Sequence, residues 1–355
     1  MRKPKFMVGG EFVFSPGIIF EKDYHQFSNF GANLEEYNRY YTFGAYYSLK
    51  AIIQSIGFDF GDSILLPSYL CPTMIYPFKE AGIKYDFYKM KEGLLPDLDD
   101  IDRKIRKGLK AVLFVDYFGH SYKNYLAEIV SILRTKGIVT IQDTVQSWLN
   151  NENTLYGDFC MNSVRKYSPF EASVLHSKTP MKFQTQTKPI RKFILHKRYG
   201  QFLRFCHIKY GCFKPERFLR HIDIANQSYH VKGIVAMPKS NAWFLDRIDF
   251  TALSRKRSIV YHSLLRNLEL QSVVKVDLCE STPLGLPVYL EDRNQKKADL
   301  HRLNIHCPVH WFLSDEIDRQ EHQYSWDMQN HILTIPINIS LTLMSEYITR
   351  LKEVL

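Results

Sequence analysis

Residues 111–143 read AVLFVDYFGHSYKNYLAEIVSILRTKGIVTIQD and contain a strand, a helix and a second strand in succession. Residues 111–115 form an uninterrupted apolar run, and residues 138–142 are rich in β-branched side chains. Between them, residues 122–136 have apolar positions at helical spacing. Strands that are apolar on both faces and separated by helices are typical of a parallel sheet covered by helices. The stretch therefore predicts an α/β fold.

The same alternation continues on both sides of this stretch. Further helices are predicted over residues 45–56, 72–81, 97–107, 251–268 and 341–354, and further strands over residues 63–67, 84–88, 286–290 and 333–337. Near residue 240 this regular alternation ends, and a helix, two strands and a final helix follow. We therefore expect a large α/β domain over residues 1–240 and a smaller α+β domain over residues 241–355, with residues 176–235 as a partly helical connecting region.

Composition favours a globular intracellular protein. The chain has 355 residues, of which 45% are hydrophobic and 14% aromatic, so it can bury a large core. Its six cysteines are scattered without a C-x-x-C pair, which indicates reduced thiols. The basic N-terminal segment lacks the apolar run of a signal peptide, and no stretch approaches 18 uninterrupted apolar residues. We expect a cytoplasmic protein without a membrane span.

The positive charge is concentrated in one stretch. The formal net charge of the chain is +10, and residues 178–220 alone carry twelve Lys and Arg residues against Glu216, a net charge of +11. Such a stretch attracts phosphate groups, an anionic membrane surface or nucleic acid, or it is a solvated surface with counter-ions. No nucleic-acid-binding motif accompanies it, and its aromatic residues have the helix-like spacing that is typical of core packing.

Four polar segments are candidates for chemistry. Gly44-Ala45 precedes a predicted helix, where backbone N–H groups and the helix dipole favour an anion. Asp143 and Gln146 follow a buried strand, at the edge of the sheet where ligands bind in such folds. The Asp143 carboxylate would pair with a cationic ring nitrogen or cap the next helix. Gly157-Asp158-Phe159 reads as a turn. In Ser163-Val164-Arg165-Lys166, the lysine would form an imine with an aldehyde if its pKa were lowered.

Together these segments resemble the DegT/DnrJ/EryC1/StrS family of sugar aminotransferases, which depend on pyridoxal 5′-phosphate (PLP) and have PLP-transferase fold type I. The resemblance covers about residues 42–175 well and residues 240–355 in outline. The matching segments are Gly44-Ala45, Gly61-Asp62-Ser63-Ile64-Leu65-Leu66-Pro67-Ser68, Ala81-Gly82, Asp116-Tyr117-Phe118-Gly119-His120, Asp143 with Gln146, Gly157-Asp158-Phe159, Ser163 with Arg165, Lys166 and Pro169, Arg255-Lys256-Arg257, Pro308-Val309-His310-Trp311, and Ile332-Leu333-Thr334-Ile335-Pro336.

The resemblance implies a role for each site residue. Lys166 would hold the cofactor covalently and move a proton, and Asp143 would keep the pyridine nitrogen protonated. Gln146 would lie near the ring or its phenolic oxygen, and Cys71 would take the position of the residue that stacks on the ring. Ser163 and the backbone at Gly44 and Ala45 would hold the phosphate.

The resemblance also implies the reaction and the partners. An amino acid, typically glutamate, would donate its amino group to the cofactor, which would then aminate a nucleotide-linked keto sugar. Such reactions usually serve the synthesis of surface polysaccharides or glycoconjugates. The family forms homodimers whose active sites lie at the subunit interface. No metal ion is implied.

The sequence departs from the family pattern at three places, which leaves alternatives open. The glycines that usually follow the lysine are replaced by Phe170-Glu171-Ala172-Ser173. At the position of the aromatic residue that stacks on the cofactor ring in the family, this sequence has Cys71. A thiol stacks poorly, and Tyr69 would take over this role. The Asn-rich loop that the partner subunit offers to the phosphate is not recognisable in residues 176–235. One alternative is therefore a relative that keeps the fold, with or without PLP, but does not transaminate.

Three further interpretations concern other residues. A third function is the binding of nucleic acid or an anionic membrane by the basic stretch. A metal site from Cys206, His207 and Cys212 lacks a second pair of ligands, so ordinary packing is the simpler reading. His310-Trp311 either line a sugar pocket or belong to the edge of a core.

Overall fold

The structure is a computed structural model that describes residues 5–27, 36–149, 155–186, 190–268 and 282–355. The strands, in chain order, are β1 (Val8–Gly9), β2 (Asn38–Thr42), β3 (Ser63–Pro67), β4 (Lys84–Tyr88), β5 (Met90–Lys91), β6 (Leu95–Pro96), β7 (Leu109–Val115), β8 (Val139–Asp143), β9 (Phe159–Met161), β10 (Ser173–Ser177), β11 (Thr185–Gln186), β12 (Ile234–Val235), β13 (Leu286–Tyr289), β14 (Ile305–His306) and β15 (Ile332–Ile335). The α-helices are α1 (Ala45–Ile56), α2 (Tyr76–Glu80), α3 (Leu98–Lys104), α4 (Ala127–Thr135), α5 (Arg191–Tyr210), α6 (Pro215–Gln227), α7 (Lys239–Leu245), α8 (Phe250–Leu268), α9 (Arg293–Arg302), α10 (Gln323–His331) and α11 (Met344–Lys352).

A seven-stranded sheet in the order β2-β10-β9-β8-β7-β3-β4 organises the described residues. Strands β4, β3, β7, β8 and β9 pair in parallel, and β10 runs antiparallel to both of its neighbours. The chain runs from β3 outward to β4 and then to β7 on the other side of β3. Ligands of open α/β sheets bind at such a reversal of strand order, beyond the carboxyl ends of the strands. The predicted, mostly parallel α/β sheet is confirmed.

Helices α3 and α11 are shorter than predicted by a few residues at their ends, and two other predicted helices depart further. The helix predicted over residues 72–81 is divided into a 3-10 turn, Pro72–Met74, and the short helix α2. Pro77, which has no backbone N–H, lies within the first turn of α2, the position that proline tolerates in a helix. Helix α4 begins at Ala127, five residues later than predicted, because Tyr122 and its neighbours form a turn.

Buried apolar side chains form several clusters. The largest packs around the seven-stranded sheet and includes residues from both halves of the chain, such as Phe114 and Trp326. A second cluster joins α8, α9 and α11 to β13, β14 and β15, and it also takes in Val8 from β1. β1 pairs in parallel with β14. The domain boundary near residue 240 stays a prediction.

The basic stretch folds as two packed helices, α5 and α6, which confirms its partly helical character. Phe193 and Phe218 are buried there, as expected of core residues. For Tyr199, Tyr210 and Phe213 that interpretation is wrong, because they are exposed and face solvent between the cations. Neither α5 nor any other helix in the described ranges is long and apolar enough to cross a membrane.

The turn at Gly157 and Asp158 attaches β9 to β8. The side-chain oxygen of Gln142 accepts hydrogen bonds from the N–H groups of Tyr156 and Gly157. The Asp158 carboxylate accepts from both the backbone N–H and the hydroxyl of Thr140, at 2.8 and 2.6 Å. A Cβ at Gly157 would lie 2.9 Å from the Gln142 Cβ, so a side chain would disrupt this approach. The motif therefore positions the strand that leads to Ser163 and Lys166.

Candidate functional site

A cavity of about 320 Å³ lies at the carboxyl ends of four neighbouring strands. Leu70 and Cys71 line it just after β3, Val115 at the end of β7, and Asp143 at the end of β8. Ser163 and Lys166 line it after β9. Polar side chains from separate segments of the sequence therefore meet at the sheet edge where ligands of this fold class bind.

Asp143 is buried at the wall of this cavity, with 5% of its surface exposed. Its Oδ1 accepts a hydrogen bond from the N–H of Val145, at 2.8 Å. Residues 145–149 form turns, so the alternative role of Asp143 as the N-cap of a helix that follows it directly is wrong. Burial raises the pKa of the carboxyl group to about 7, while the Val145 N–H and Lys166 oppose the shift. A cation placed in the cavity would restore the charged form.

Lys166 ends a 3-10 turn, Val164–Lys166, that follows β9. Burial, and to a lesser extent the neighbouring Arg165, lowers the pKa of its amine to about 8. Cys71 and Asp143 act in the opposite direction. A lysine amine with a lowered pKa is neutral in a larger fraction of molecules near pH 7, which is the form that attacks a carbonyl group.

The N-terminus of α1 forms another part of the cavity wall. Gly44 precedes the helix, and its carbonyl accepts the N–H groups of Tyr47 and Ser48. The N–H groups of Ala45 and Tyr46 have no acceptor among the described residues. Both residues line the cavity, together with the Ser163 hydroxyl. Free amides at the positive end of a 12-residue helix, beside a hydroxyl, are suited to bind a phosphate.

Of three other residues named from the sequence, Cys71 lines the cavity, whereas Tyr69 and Gln146 lie outside its lining. Cys71 lines the cavity, and its Sγ lies 3.0 Å from the Thr73 hydroxyl. Tyr69 is fully buried, donates to the carbonyl of His310 and lies outside the cavity lining, so the expectation that it would substitute for a stacking ring is wrong. Gln146 also lies outside the lining, and its Oε1 accepts the N–H of Phe118 at 2.7 Å. Its assignment to the cofactor stays a prediction.

Solved structures share this architecture, whereas no family model and no curated protein sequence matches the chain. A DegT DnrJ EryC1 StrS aminotransferase from Brucella abortus is 15% identical with a TM-score of 0.65, over 96% of this chain and 91% of that one. The aminotransferase TlmJ from Streptoalloteichus hindustanus is 14% identical with a TM-score of 0.63, over 97% and 92% of the two chains.

NtdA from Bacillus subtilis, solved with the bound cofactor PMP, is 16% identical with a TM-score of 0.63, over 97% of this chain and 78% of that one. These alignments span nearly the whole chain, including the region after residue 176 that has no recognisable sequence match. The chain has the fold of the DegT/DnrJ/EryC1/StrS aminotransferases. The expected PLP-transferase fold type I, with its mostly parallel central sheet flanked by helices, is confirmed.

Within this aminotransferase fold, the residues that replace the usual glycines after Lys166 are all packed. Phe170 stacks on Phe244, with ring centroids 4.6 Å apart. Ser173 donates its hydroxyl to the carbonyl of Asn162, and its Oγ lies 2.8 Å from that of Ser48. Glu171 is 5% exposed and lines a neighbouring cavity. The departure therefore adds a carboxyl group beside the site.

The neighbouring cavity, of about 580 Å³, shares Arg165 and Lys166 with the first. Its wall is mixed in charge but mostly basic. The basic groups are Arg165, Lys166, Lys197, Arg257 and Lys297, and the acidic groups are Glu11 and Glu171. Burial lowers the pKa of His306 and His310, which also line the cavity, so these two do not add to the charge. Lys197 pairs with Glu11 at 2.7 Å, and burial raises the pKa of Glu171 to about 7, so the cations outweigh the anions.

The lining residues of the first cavity that the sequence did not indicate include Tyr229 and His230, whereas for Trp311 it left open a sugar pocket or the edge of a core. Trp311 provides an aromatic wall, and its ring contacts those of Tyr69 and Tyr117. Tyr229 and His230 come from the segment after α6. Trp311 stood within a segment already matched to the family, whereas nothing in the sequence around Tyr229 pointed to the site.

A Gly44→Ala substitution tests the close contact at the start of α1. A Cβ at Gly44 would lie 2.2 Å from the Tyr229 hydroxyl oxygen but 3.5 Å from its Cζ. We expect Gly44→Ala to lower the free energy of unfolding by about 1–3 kcal/mol through overpacking. The double variant Gly44→Ala/Tyr229→Phe, which removes that oxygen, should recover most of the loss in denaturant titrations. Equal instability of the single and double variants would contradict the contact.

Proposed function

We propose that the protein is a PLP-dependent aminotransferase that moves an amino group from an amino acid to a keto sugar. The observation that carries the proposal is one cavity lined by a buried carboxyl group, a lysine of lowered pKa and free amides at a helix N-terminus. These groups match the three reactive parts of PLP, which are its pyridine nitrogen, its aldehyde and its phosphate. Glutamate is the amino donor that the family resemblance favours.

The charge of Asp143 is complementary to that of the pyridine ring of PLP. Among the described residues, no cation lies within hydrogen-bonding distance of Asp143, and burial raises its pKa to about 7. A protonated ring nitrogen beside it would favour the carboxylate form, and the carboxylate would in turn keep that nitrogen protonated. When bound, PLP supplies the electron sink that stabilises negative charge on the substrate carbon.

Lys166 has two tasks in this proposal. Its amine, which burial keeps partly neutral, would hold the cofactor by condensing with its aldehyde with loss of water. Once displaced by the amine of the substrate, it would accept the proton of the substrate carbon and return it. Because Lys166 lines both cavities, it faces the cofactor on one side and the proposed substrate space on the other. Arg165 lines the same two cavities and would attract an anionic substrate group.

The larger cavity is proposed as the place of the acceptor. Its excess of cations favours an acceptor that carries a diphosphate, as a nucleotide-linked keto sugar does. Polysaccharide or glycoconjugate biosynthesis is the setting that the resemblance favours. We further propose that the protein is cytoplasmic, in line with the absence of disulfides among the five described cysteines. We also propose that it forms a homodimer, as the family resemblance implies. A monomer in sedimentation at working concentration would contradict the homodimer.

The proposal is tested by adding PLP to the purified protein and following the absorption band that appears when a lysine amine condenses with the aldehyde. We expect the band in the wild type, its loss in Lys166→Ala, and its retention in Lys136→Ala, which removes an exposed lysine elsewhere. The rate of band formation should rise with pH through about 8, because only the neutral amine reacts. No band in the wild type would overturn the proposal.

Addition of glutamate then separates an active enzyme from a relative that has lost the activity. The band should disappear as the cofactor takes up the amino group, and Asp143→Ala should slow this step by about 100-fold or more. A stable band in the presence of several amino acids would instead support a protein that keeps PLP without transaminating.

Binding of uridine diphosphate tests the acceptor cavity. We expect Lys297→Gln to weaken binding about 5-fold or more and to reduce its salt dependence, since one charge-assisted contact is removed. Lys352→Gln, an exposed lysine on α11, is the control. Calorimetry that shows equal binding by both variants and the wild type would contradict the assignment, and binding to nucleic acid in preference to uridine diphosphate would favour the basic-surface alternative.

A further inference from the structure

Tyr229 lies against the N-terminus of α1. An ideal Cβ on Gly44 would be 2.2 Å from the Tyr229 hydroxyl oxygen, so this oxygen lies directly beside the residue that precedes the helix. Tyr229 also lines the cavity together with Ala45, Tyr46 and Ser163. The hydroxyl therefore lies next to the free N–H groups at which an anion would bind.

The hydroxyl of Tyr229 has no hydrogen-bond partner among the described residues and is accessible from the cavity, although only 7% of the residue's surface is exposed. The backbone of Tyr229 is, by contrast, well held. Its carbonyl accepts the hydroxyl of Tyr47, and its N–H donates to the carbonyl of Asn226 at 3.2 Å. A hydroxyl that is held at a cavity wall without a protein partner is available to donate a hydrogen bond to a bound ligand.

The ring of Tyr229 is held in place by its neighbours. It packs against Phe43, Tyr47 and Phe193 at centroid distances of 5.7, 5.7 and 5.5 Å. The guanidinium carbon of Arg165 lies 5.3 Å from the ring centroid. Because the ring cannot easily turn away, its hydroxyl is fixed toward the helix N-terminus, with a cation nearby.

We infer that Tyr229 is a phosphate-positioning residue, whose hydroxyl donates a hydrogen bond to the cofactor phosphate at the N-terminus of α1. Tyr229 thus completes a set of donors formed by the amides of Ala45 and Tyr46 and the hydroxyl of Ser163. All four donors come from one chain, and Tyr229 belongs to the region with no recognisable sequence match. The inference rests on the proposed use of PLP.

The test compares PLP with pyridoxal, which has the same ring and aldehyde but no phosphate. Both are titrated into the wild type, Tyr229→Phe and Tyr76→Phe, and dissociation constants are taken from the absorption band. Tyr76 is the matched control, because it lies beside His230 but is exposed and outside the cavity lining. We expect Tyr229→Phe to weaken PLP binding about 10-fold or more, to leave pyridoxal binding within about 2-fold, and to preserve thermal stability. Tyr76→Phe should bind both compounds as the wild type does.

Each outcome decides the inference. Equal weakening of PLP and pyridoxal by Tyr229→Phe would mean that the hydroxyl shapes the cavity without contacting phosphate, and would overturn it. Unchanged PLP binding by Tyr229→Phe would also overturn the inference. Tighter PLP binding would overturn it too, because it would show that the hydroxyl occupies the position of the phosphate. If the wild type binds pyridoxal and PLP equally, the phosphate is not held at α1 and the inference fails while covalent capture by Lys166 stands. If the wild type binds neither compound, the proposed function fails together with the inference.

Discussion

The parallel pairing of β7, β8 and β9 is the constraint on which the site depends. Its register sets Asp143 opposite Val115 on one side and Met161 on the other, so the carboxyl ends of the three strands coincide. Ser163 and Lys166 follow Met161 within five residues and therefore emerge beside Asp143. The turn at Gly157 and Asp158, fastened to Gln142 and Thr140, maintains this register. A shift by one residue would separate the carboxyl group from the amine.

Burial gives these two groups their chemical character. It raises the pKa of the acid and lowers that of the base, so that each is partly neutral near pH 7. A cationic ring bound between the Asp143 carboxyl group and the Lys166 amine would supply the charge interactions that water provides to exposed groups. The same reasoning applies to the N-terminus of α1. The amides there and the hydroxyl of Tyr229 have no partner among the described residues and would bind an anion. The cavity is therefore complementary to a molecule with a cationic ring, an aldehyde and a phosphate.

Local patterns predicted the sheet and much of the site. Residues 45–56, 63–67 and 84–88 form their expected elements at the expected bounds, because apolar spacing there reflects burial directly. Asp143, Ser163, Lys166, Ala45 and Cys71 meet in one cavity because each lies near the end of a strand or the start of a helix. Tyr229 and Trp311 depend instead on contacts between distant parts of the chain, which no local spacing encodes. Gln146 has the expected neighbours in sequence, but its side chain turns to the N–H of Phe118.

The central claim is that the amine of Lys166 meets the aldehyde of PLP in the cavity that Asp143 closes. It is tested most directly by treating the protein with PLP, reducing it with borohydride and mapping the modified lysine by peptide mass spectrometry. We predict stoichiometric modification of Lys166 alone among the lysines. Modification spread over the exposed lysines, with Lys166 unlabelled, would contradict it.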